Sequence, residues 1–316
     1  MPRVSAIIPV YNGEATIARA IDSAIDQDFG ESVEVIVVND CSSDSTEAIL
    51  ARYGVRIRYL TQTRRMGVVA ARNAAVAAAS GEYLALLDAD DSWLPNKLTR
   101  LVPALDGNPN AVLAYADYIP VFPDGKQWRA TSFTLEFAHA PSMDEMLTRR
   151  WPFAPSMIVM RRNAYLGADT FVERAAGNLR AGLGEDYMLL LAREQGEFIY
   201  IPEPLTRFQV IIGYESLDKW EPDVFIALVQ ERYGKRAHGM LRDLRFAYAG
   251  KLAYKANLEL HQGRLLRALH TSMRAMRYDP WQFLRRDNLA KILSRRAIHV
   301  IGSSLRARWS SRGAAS

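Results

Sequence analysis

Residues 81–91, GEYLALLDADD, join an apolar run to an acidic end, and the predicted fold follows from this stretch. Tyr83–Leu87 has the length of a strand, and Asp88-Ala89-Asp90-Asp91 follows it without a linker. An apolar run without alternation is typical of a strand that is covered on both faces of a parallel sheet. Ligands bind beyond the carboxyl ends of such strands, so the acidic residues are predicted to lie at a binding site.

Strand and helix patterns alternate on both sides of this stretch. The pattern predicts strands at 4–8, 33–38, 57–60 and 111–118, and helices at 15–25, 45–52, 67–79 and 95–105. Such alternation predicts an α/β protein with a doubly wound, mostly parallel sheet. Further on, the sequence predicts a turn-rich excursion at 120–127, strands at 151–160 and 198–208, and helices at 185–194, 223–233, 240–261 and 265–277, the last two forming a hairpin.

Charge divides the chain into two parts. Residues 221–316 carry 19 lysines and arginines against 7 acidic residues, whereas residues 1–220 carry 21 against 28. The acidic first part argues against nucleic-acid binding. The basic second part is expected to meet an anionic partner, and membrane lipid is one candidate.

The last segment, 278–309, mixes clustered arginines with tryptophans and aliphatic residues. Such a basic amphipathic segment lies in a membrane interface or packs its apolar face on the rest of the protein, and both interpretations stay open. The single cysteine, Cys41, the absence of a signal-like start and the lack of an apolar span of about 20 residues predict a cytoplasmic protein. The expected location is the cytoplasm, and under the membrane interpretation the protein also makes peripheral contact with the inner face of the membrane.

Three predicted strand ends bring an aromatic ring and several carboxylates to one edge of the sheet. They are Pro9-Val10-Tyr11-Asn12, Asn39-Asp40 and Asp88-Ala89-Asp90. Neither a GxGxxG nor a GK[ST] phosphate loop is present, so a phosphate must be held in another way. Carboxylates at i and i+2 of an extended chain point the same way and suit Mn²⁺ or Mg²⁺ bound to a diphosphate. Asp91 is predicted to cap the next helix, with Ser92 and Pro95 opening it.

Five motifs in this order resemble family 2 inverting glycosyltransferases, which have the GT-A fold. The motifs are VSAIIPVYN (4–12), VNDCSSDST (38–46), Gly67 with ARN (71–73), GEYLALLDADD (81–91) and GEDYM (184–188). The resemblance covers about residues 3–210. It implies a catalytic domain over 1–220, with a donor-binding half at about 1–118 and an acceptor half at about 119–220, before a basic helical region at 221–316.

The resemblance also implies roles for individual residues. Tyr11 matches the ring that stacks on the donor base, Asp40 the carboxylate that reads the base, and Arg72 a donor contact. Asp88 and Asp90 match the ribose and metal contacts, and Asp186 matches the catalytic base. The donor site is also expected to include Pro9 and Ala89. Glu185 is expected to stand beside the base or to contact the acceptor. Arg207 either contacts the diphosphate or is a surface charge.

Three departures from the family pattern limit these implications. Arg65-Met66-Gly67 replaces Asn-x-Gly, Thr170-Phe-Val-Glu173 replaces Gly-Phe-Asp-Glu, and Cys41, interpreted as a small buried residue, stands where glycine is frequent. The Gln-x-x-Arg-Trp motif of processive synthases is absent, which favours transfer of one sugar at a time.

The predicted function is metal-assisted transfer of one sugar from a nucleotide-sugar, a UDP-sugar in most of the family, to a saccharide or lipid-linked saccharide in surface polysaccharide synthesis. Two alternatives stay open. One is a catalytically inactive homologue that binds saccharides or serves assembly, and the other is a nucleotidyltransferase.

Overall fold

The computed structural model describes residues 1–122, 125–127, 139–148, 154–167, 183–210, 222–261 and 264–280. These residues fall into two compact units. The first is the described part of Met1–Leu147, Trp151–Gly213 and Lys219–Tyr233, and the second is the described part of Thr148–Arg150, Tyr214–Asp218 and Gly234–Ser316. The helix that follows residue 221 thus belongs to the first unit.

The strands of the first unit form one mixed sheet. In the described residues its order is β3-β2-β1-β4-β7-β6-β8-β5. The β1–β2, β2–β3, β1–β4 and β6–β8 pairs are parallel, whereas β7 runs against both β4 and β6, and β5 against β8. The strands are β1 (Val4–Val10), β2 (Val33–Asn39), β3 (Arg58–Thr61), β4 (Tyr83–Leu86), β5 (Ser92–Trp93), β6 (Ala111–Val121), β7 (Ile158–Arg161) and β8 (Glu197–Gln209).

Helices connect these strands. In the described residues of the first unit they are α1 (Ile17–Ile25), α2 (Thr46–Arg52), α3 (Val68–Ala78), α4 (Lys97–Asp106), α5 (Met143–Thr148), α6 (Arg162–Gly167), α7 (Leu183–Gln195) and α8 (Pro222–Tyr233). Among the described residues, short 3₁₀ turns occupy Gly54–Arg56 and Pro155–Met157 in the first unit and Gly234–Ala237 in the second. The predicted strand at 151–160 is shorter than expected, because a 3₁₀ turn precedes β7; residues 151–153 lie outside the described residues.

The core lies between the sheet and its helices. All seven residues of β1 are buried, and Ile17, Ala20, Ile21 and Ala24 of α1 are buried with them. Gly81 precedes β4 where a Cβ atom would lie 2.7 Å from the backbone nitrogen of Ser5. Only glycine therefore allows β4 to approach β1 this closely.

The second unit contains the predicted helical hairpin, formed by α9 (His238–His261) and α10 (Leu265–Tyr278). The hydroxyl of Thr271 donates a buried hydrogen bond of 2.8 Å to Glu259, and the rings of Tyr248 and Tyr278 pack edge to face at 4.7 Å. Within the described part of the chain, no helix is long and apolar enough to cross a membrane.

Candidate active site at the carboxyl ends of the strands

The loops after β1 and β2 hold each other. Ser43 donates its backbone N–H to Asn12 Oδ1 at 2.8 Å, and Asn12 donates its own N–H to Ser42 Oγ at 2.9 Å. Gly13 donates to the buried Thr46 Oγ1 at 2.9 Å. Asn12 and Cys41 adopt positive φ angles of 50° and 60°. Residues 11–13 are thereby fixed at the edge of the sheet.

Cys41 is exposed, so the interpretation of a buried cysteine is wrong. Its positive φ supplies the physical reason for the preference for glycine at this position, because side chains disfavour that backbone region. Cys41 lies in the loop between β2 and α2, where Ser43 and Ser45 are exposed as well, so its thiol is in solvent.

Tyr11 carries the aromatic ring predicted at the end of β1. The ring is 38% exposed, and the Arg65 guanidinium carbon lies 3.8 Å from its centroid. At this distance the planar guanidinium stacks on the ring. Arg65 comes from the loop before α3, so this contact joins that loop to the end of β1.

Asp40 is 3% exposed and ties the same loop to the end of β2. Its two carboxylate oxygens accept hydrogen bonds from the backbone N–H groups of Met66 at 2.6 Å and Gly67 at 2.8 Å. Asp40 does not cap α2; Asp44 accepts from the N–H of Thr46 there at 3.0 Å. A carboxylate has about four acceptor sites, so two such bonds leave Asp40 capacity for a ligand.

Arg72 and Asp88 form an ion pair at the end of β4, with Arg72 Nη2 2.9 Å from Asp88 Oδ1. The Arg72 side chain is 3% exposed, so it is a buried charge rather than a solvated one on the surface of α3. Ser156 Oγ accepts the backbone N–H of Asp88 at 2.9 Å. Arg72 therefore holds the Asp88 carboxylate and Ser156 holds its backbone, while 30% of the Asp88 side chain stays accessible.

Asp90 lies two residues further on, and its carbonyl oxygen accepts a 2.7 Å hydrogen bond from Arg19. Burial raises the pKa of the Asp90 carboxyl. A cation beside Asp90 would reverse that effect, since a nearby positive charge favours the ionised form.

Asp88 and Asp90 supply two carboxylates at the predicted metal position. Among the described residues no group of three or more His, Cys, Asp or Glu side chains is placed to hold a metal. A hard cation that binds a diphosphate takes only one or two protein carboxylates, with phosphate and water oxygens completing its shell. The two aspartates meet that requirement.

Asp91 has a different role from the predicted helix cap. It is 1% exposed, and its Oδ1 accepts the backbone N–H of Gln209 on β8 at 2.7 Å. Residues 92–93 form β5, and α4 begins only at Lys97, after Asn96. The cap prediction is wrong because the Asp91 side chain bonds to strand β8 and not to the first turn of α4. Burial, reinforced by the charges of Asp88 and Asp90, raises its pKa to about 8.

Lys97 adds a second buried charge behind this loop. It is fully buried, and its ammonium donates to Thr206 Oγ1 at 3.2 Å. Thr206 Oγ1 in turn donates to the carbonyl oxygen of Ser156 at 2.9 Å, and Ser156 also holds Asp88. A buried polar layer thus supports the Asp88–Asp90 loop from below.

The other predicted site residues are placed as follows. Pro9 is buried within β1, Ala89 is half-buried between the two aspartates, and Arg207 is exposed on β8 opposite Ser92. Glu185 and Asp186 lie in the first turn of α7, and their side chains are outside the described part of the structure.

The structure also adds residues that sequence reasoning missed: Arg19, Arg65, Ser156 and Lys97. Lys97 had a detectable signal, because positions 97, 101 and 105 share the buried face of α4. The other three act through contacts between distant segments, and no local pattern marks them.

Comparisons with known proteins agree on one family. The family model described as Glycosyl transferase family 2 matches residues 5–167. The succinoglycan biosynthesis protein ExoO of Rhizobium meliloti (strain 1021) is 34% identical over 199 residues, 60% of this chain and 55% of the relative. The Escherichia coli protein named UDP-Glc:alpha-D-GlcNAc-diphosphoundecaprenol beta-1,3-glucosyltransferase WfgD is 39% identical over 116 residues, 36% of this chain and 45% of the relative. These matches span about half of each relative.

Solved structures support the fold. The crystal structure of S. aureus TarS 1-349 in complex with UDP-GlcNAc superposes with a TM-score of 0.57 at 18% identity, covering 92% of this chain and 88% of that one. The mixed sheet with its helices is accordingly the expected GT-A fold. Because the family model covers more than half of the chain, the chain belongs to glycosyl transferase family 2.

Proposed function

We propose that the protein is an inverting glycosyltransferase that moves one sugar from a UDP-sugar to a saccharide or lipid-linked saccharide in surface polysaccharide synthesis. The observation that carries the proposal is the meeting of Tyr11, Asp40, the Arg72–Asp88 pair and Asp90 at one edge of the sheet. Relatives agree with this chemistry: ExoO is named for succinoglycan biosynthesis, WfgD for a UDP-glucose donor and a diphosphoundecaprenol-linked acceptor, and the TarS crystals contain UDP or UDP-GlcNAc.

The donor base is proposed to lie against Tyr11, beside the loop that Asp40 holds. A half-exposed ring next to fixed backbone supplies a stacking surface with little entropy left to lose on binding. Asp40 uses its remaining acceptor capacity for an N–H of the base. Pro9, rigid and buried, sets the direction in which the chain leaves β1.

The diphosphate and ribose are proposed to lie over Asp88-Ala89-Asp90. Asp88 accepts a ribose hydroxyl, and Arg72, already paired with Asp88, keeps the local charge balanced. Mn²⁺ or Mg²⁺ would be held by Asp90 with Asp88, and when bound it supplies Lewis-acid stabilisation of the departing diphosphate.

Asp186 is proposed as the base. It takes the proton of the acceptor hydroxyl while that oxygen bonds to the anomeric carbon from the face opposite the diphosphate, whose bond to the sugar breaks. One displacement of this kind inverts the anomeric centre. Glu185 and Arg207 are proposed to contact the acceptor or the diphosphate. The absence of the processive motif supports transfer of a single sugar.

Peripheral contact with an anionic membrane through 278–309 is the remaining part of the proposal. Its support is the mixture of arginines and tryptophans in the sequence. Residues 281–309 lie outside the described part of the structure.

Nucleotide binding tests the site assignment through two matched tyrosines, since Tyr11 is 38% exposed and Tyr59 37%. We expect Tyr11→Ala to weaken UDP binding, measured calorimetrically with Mn²⁺, by about tenfold, because loss of a stacked base costs about 1–3 kcal/mol. Tyr59→Ala on β3 should bind UDP like the unmodified chain. Equal UDP affinities for the two variants would exclude Tyr11 as the base platform.

A further inference from the structure

Helix α10 carries an apolar row on its exposed side. The opposite side of the helix is buried through Ala268, Thr271 and Ala275, so α10 is anchored in its unit. The row has spacings of three, four and three residues, which places its members on one helical face. Its members and their exposed fractions are Leu266 74%, Leu269 54%, Met273 60% and Met276 39%.

Basic side chains border this row. Arg267, His270 and Arg277 are exposed and fall on the helical face next to the apolar one. Residues 261–278 contain no aspartate or glutamate. The exposed surface of α10 therefore combines an apolar strip with positive charge alone, which complements an anionic and apolar partner.

The size of the strip distinguishes between partners. A stable protein–protein interface uses about 20–30 residues on each side, whereas the strip consists of four side chains on one helix. An interfacial helix needs less, because it sinks one apolar face about 5–10 Å into the headgroup region while arginines meet the lipid charges. A second copy of the chain fits the strip less well than a lipid surface does.

We propose that α10 is a membrane-contacting helix that lies in the interface of an anionic bilayer through Leu266, Leu269, Met273 and Met276, with Arg267 and Arg277 on the headgroups. The contact through α10 is additional to the membrane contact proposed above for 278–309. It rests on the proposed function only in taking the partner to be an anionic membrane. Contact of α10 with the bilayer would hold the protein on the surface to which a lipid-linked acceptor is confined.

Vesicle sedimentation of the full chain tests the proposal. We expect binding to vesicles of phosphatidylglycerol and phosphatidylcholine, weaker binding at high salt, and little binding to phosphatidylcholine alone. Leu266→Glu combined with Met273→Glu should weaken the partition by about tenfold or more. Both positions are exposed, so the variant should fold. Val55→Glu, at a fully exposed apolar residue of the first unit, is the matched control and should bind like the parent.

Cysteine labelling identifies the occupant. In a Cys41→Gly background, Met273→Cys should react rapidly with a polar maleimide in solution and slowly with anionic vesicles present. Slow reaction without vesicles would mean that the protein's own chain covers the strip. A doubled mass in solution that the Leu266→Glu/Met273→Glu variant abolishes would make the strip a self-association surface. Either result, or equal vesicle binding by parent and double variant, overturns the proposal.

Turnover of a UDP-sugar by the same double variant separates this inference from the transferase proposal. Lost vesicle binding with turnover retained supports the membrane helix. Turnover absent from parent and variant alike, with vesicle binding by the parent, contradicts the proposed enzyme while leaving the membrane helix standing.

Discussion

Replacement of Lys97 by methionine should stabilise the protein. Lys97 is fully buried; its ammonium donates to Thr206 Oγ1 at 3.2 Å and lies 5.7 Å from the centroid of the Trp93 ring. Burial lowers the pKa of Lys97 from 10.5 to about 7, although the charge of Asp91 opposes this effect. Methionine fills a similar volume without a charge to desolvate, and Thr206 keeps its bond to the Ser156 carbonyl.

The magnitude follows from proton linkage. A lysine whose pKa is depressed on folding destabilises the native state, fully below the folded pKa, and the effect fades as pH rises towards the unfolded pKa. Because folding lowers the pKa of Lys97 from 10.5 to about 7, the free energy of unfolding is about 4 kcal/mol lower at pH 7 than it would be without this shift. Loss of the hydrogen bond to Thr206 should lower the free energy of unfolding of the variant by about 1 kcal/mol. We expect Lys97→Met to raise the free energy of unfolding by about 3 kcal/mol at pH 7.

Urea unfolding followed by circular dichroism, at pH 7 and pH 9, measures this gain. At pH 9 the gain should be smaller by about 2 kcal/mol. The proton concentration is lower there, so protonation of Lys97 stabilises the unfolded chain less. Lys235→Met, at an exposed lysine, should change the free energy of unfolding by less than about 0.5 kcal/mol at either pH. A less stable Lys97→Met variant, or a gain that does not change with pH, would refute the reasoning.

Two further predictions concern carboxylates. Burial opposes ionisation of Glu34, but hydrogen bonds from Ser5, Ser80 and Gly81 outweigh it and lower the pKa of Glu34 below 4.5. The stabilisation is therefore present above pH 4.5 and lost as pH falls. In thermal unfolding, Glu34→Gln should lower the free energy of unfolding by about 1 kcal/mol at pH 7 and by less at acid pH. The exposed control Glu47→Gln should show no such loss. An equal loss for Glu34→Gln at both pH values would contradict this prediction. Asp186→Asn should slow UDP release from a UDP-sugar by ~10²–10⁴-fold with UDP affinity unchanged, and turnover within a few-fold of the parent would rule out Asp186 as base.

The part of the fold that rests on local pattern is predictable from the sequence. Apolar runs locate β1, β2 and β4 to within two residues, because a strand covered on both faces needs an unbroken apolar sequence. Convergence of Tyr11, Asp40 and Asp88 on one edge follows from parallel strand direction alone. The antiparallel position of β7 between β4 and β6 cannot be predicted in this way, because the sequence of a short strand does not specify its direction.

The roles of several polar residues depend on distant partners. Asp91 accepts a hydrogen bond from Gln209, 118 residues away, and Lys97 donates to Thr206, 109 residues away. A local pattern treats an aspartate before a helix as a cap, so it predicts a helix cap where Asp91 bonds to a strand. Asp40 likewise binds backbone amides 26 and 27 residues further on.

Metal-dependent release of UDP from UDP-sugars tests the central claim most directly. A panel of UDP-sugars is incubated with the full chain, with Mn²⁺ or with a chelator, and compared with Asp90→Asn and with Asp26→Asn, whose side chain is 73% exposed. We expect Mn²⁺-dependent release from at least one UDP-sugar, a decrease of about a hundredfold or more in Asp90→Asn, and no change in Asp26→Asn. UDP binding without release would instead fit an inactive homologue, and diphosphate release from a nucleoside triphosphate would fit a nucleotidyltransferase. Either result, or full activity of Asp90→Asn, would contradict the account.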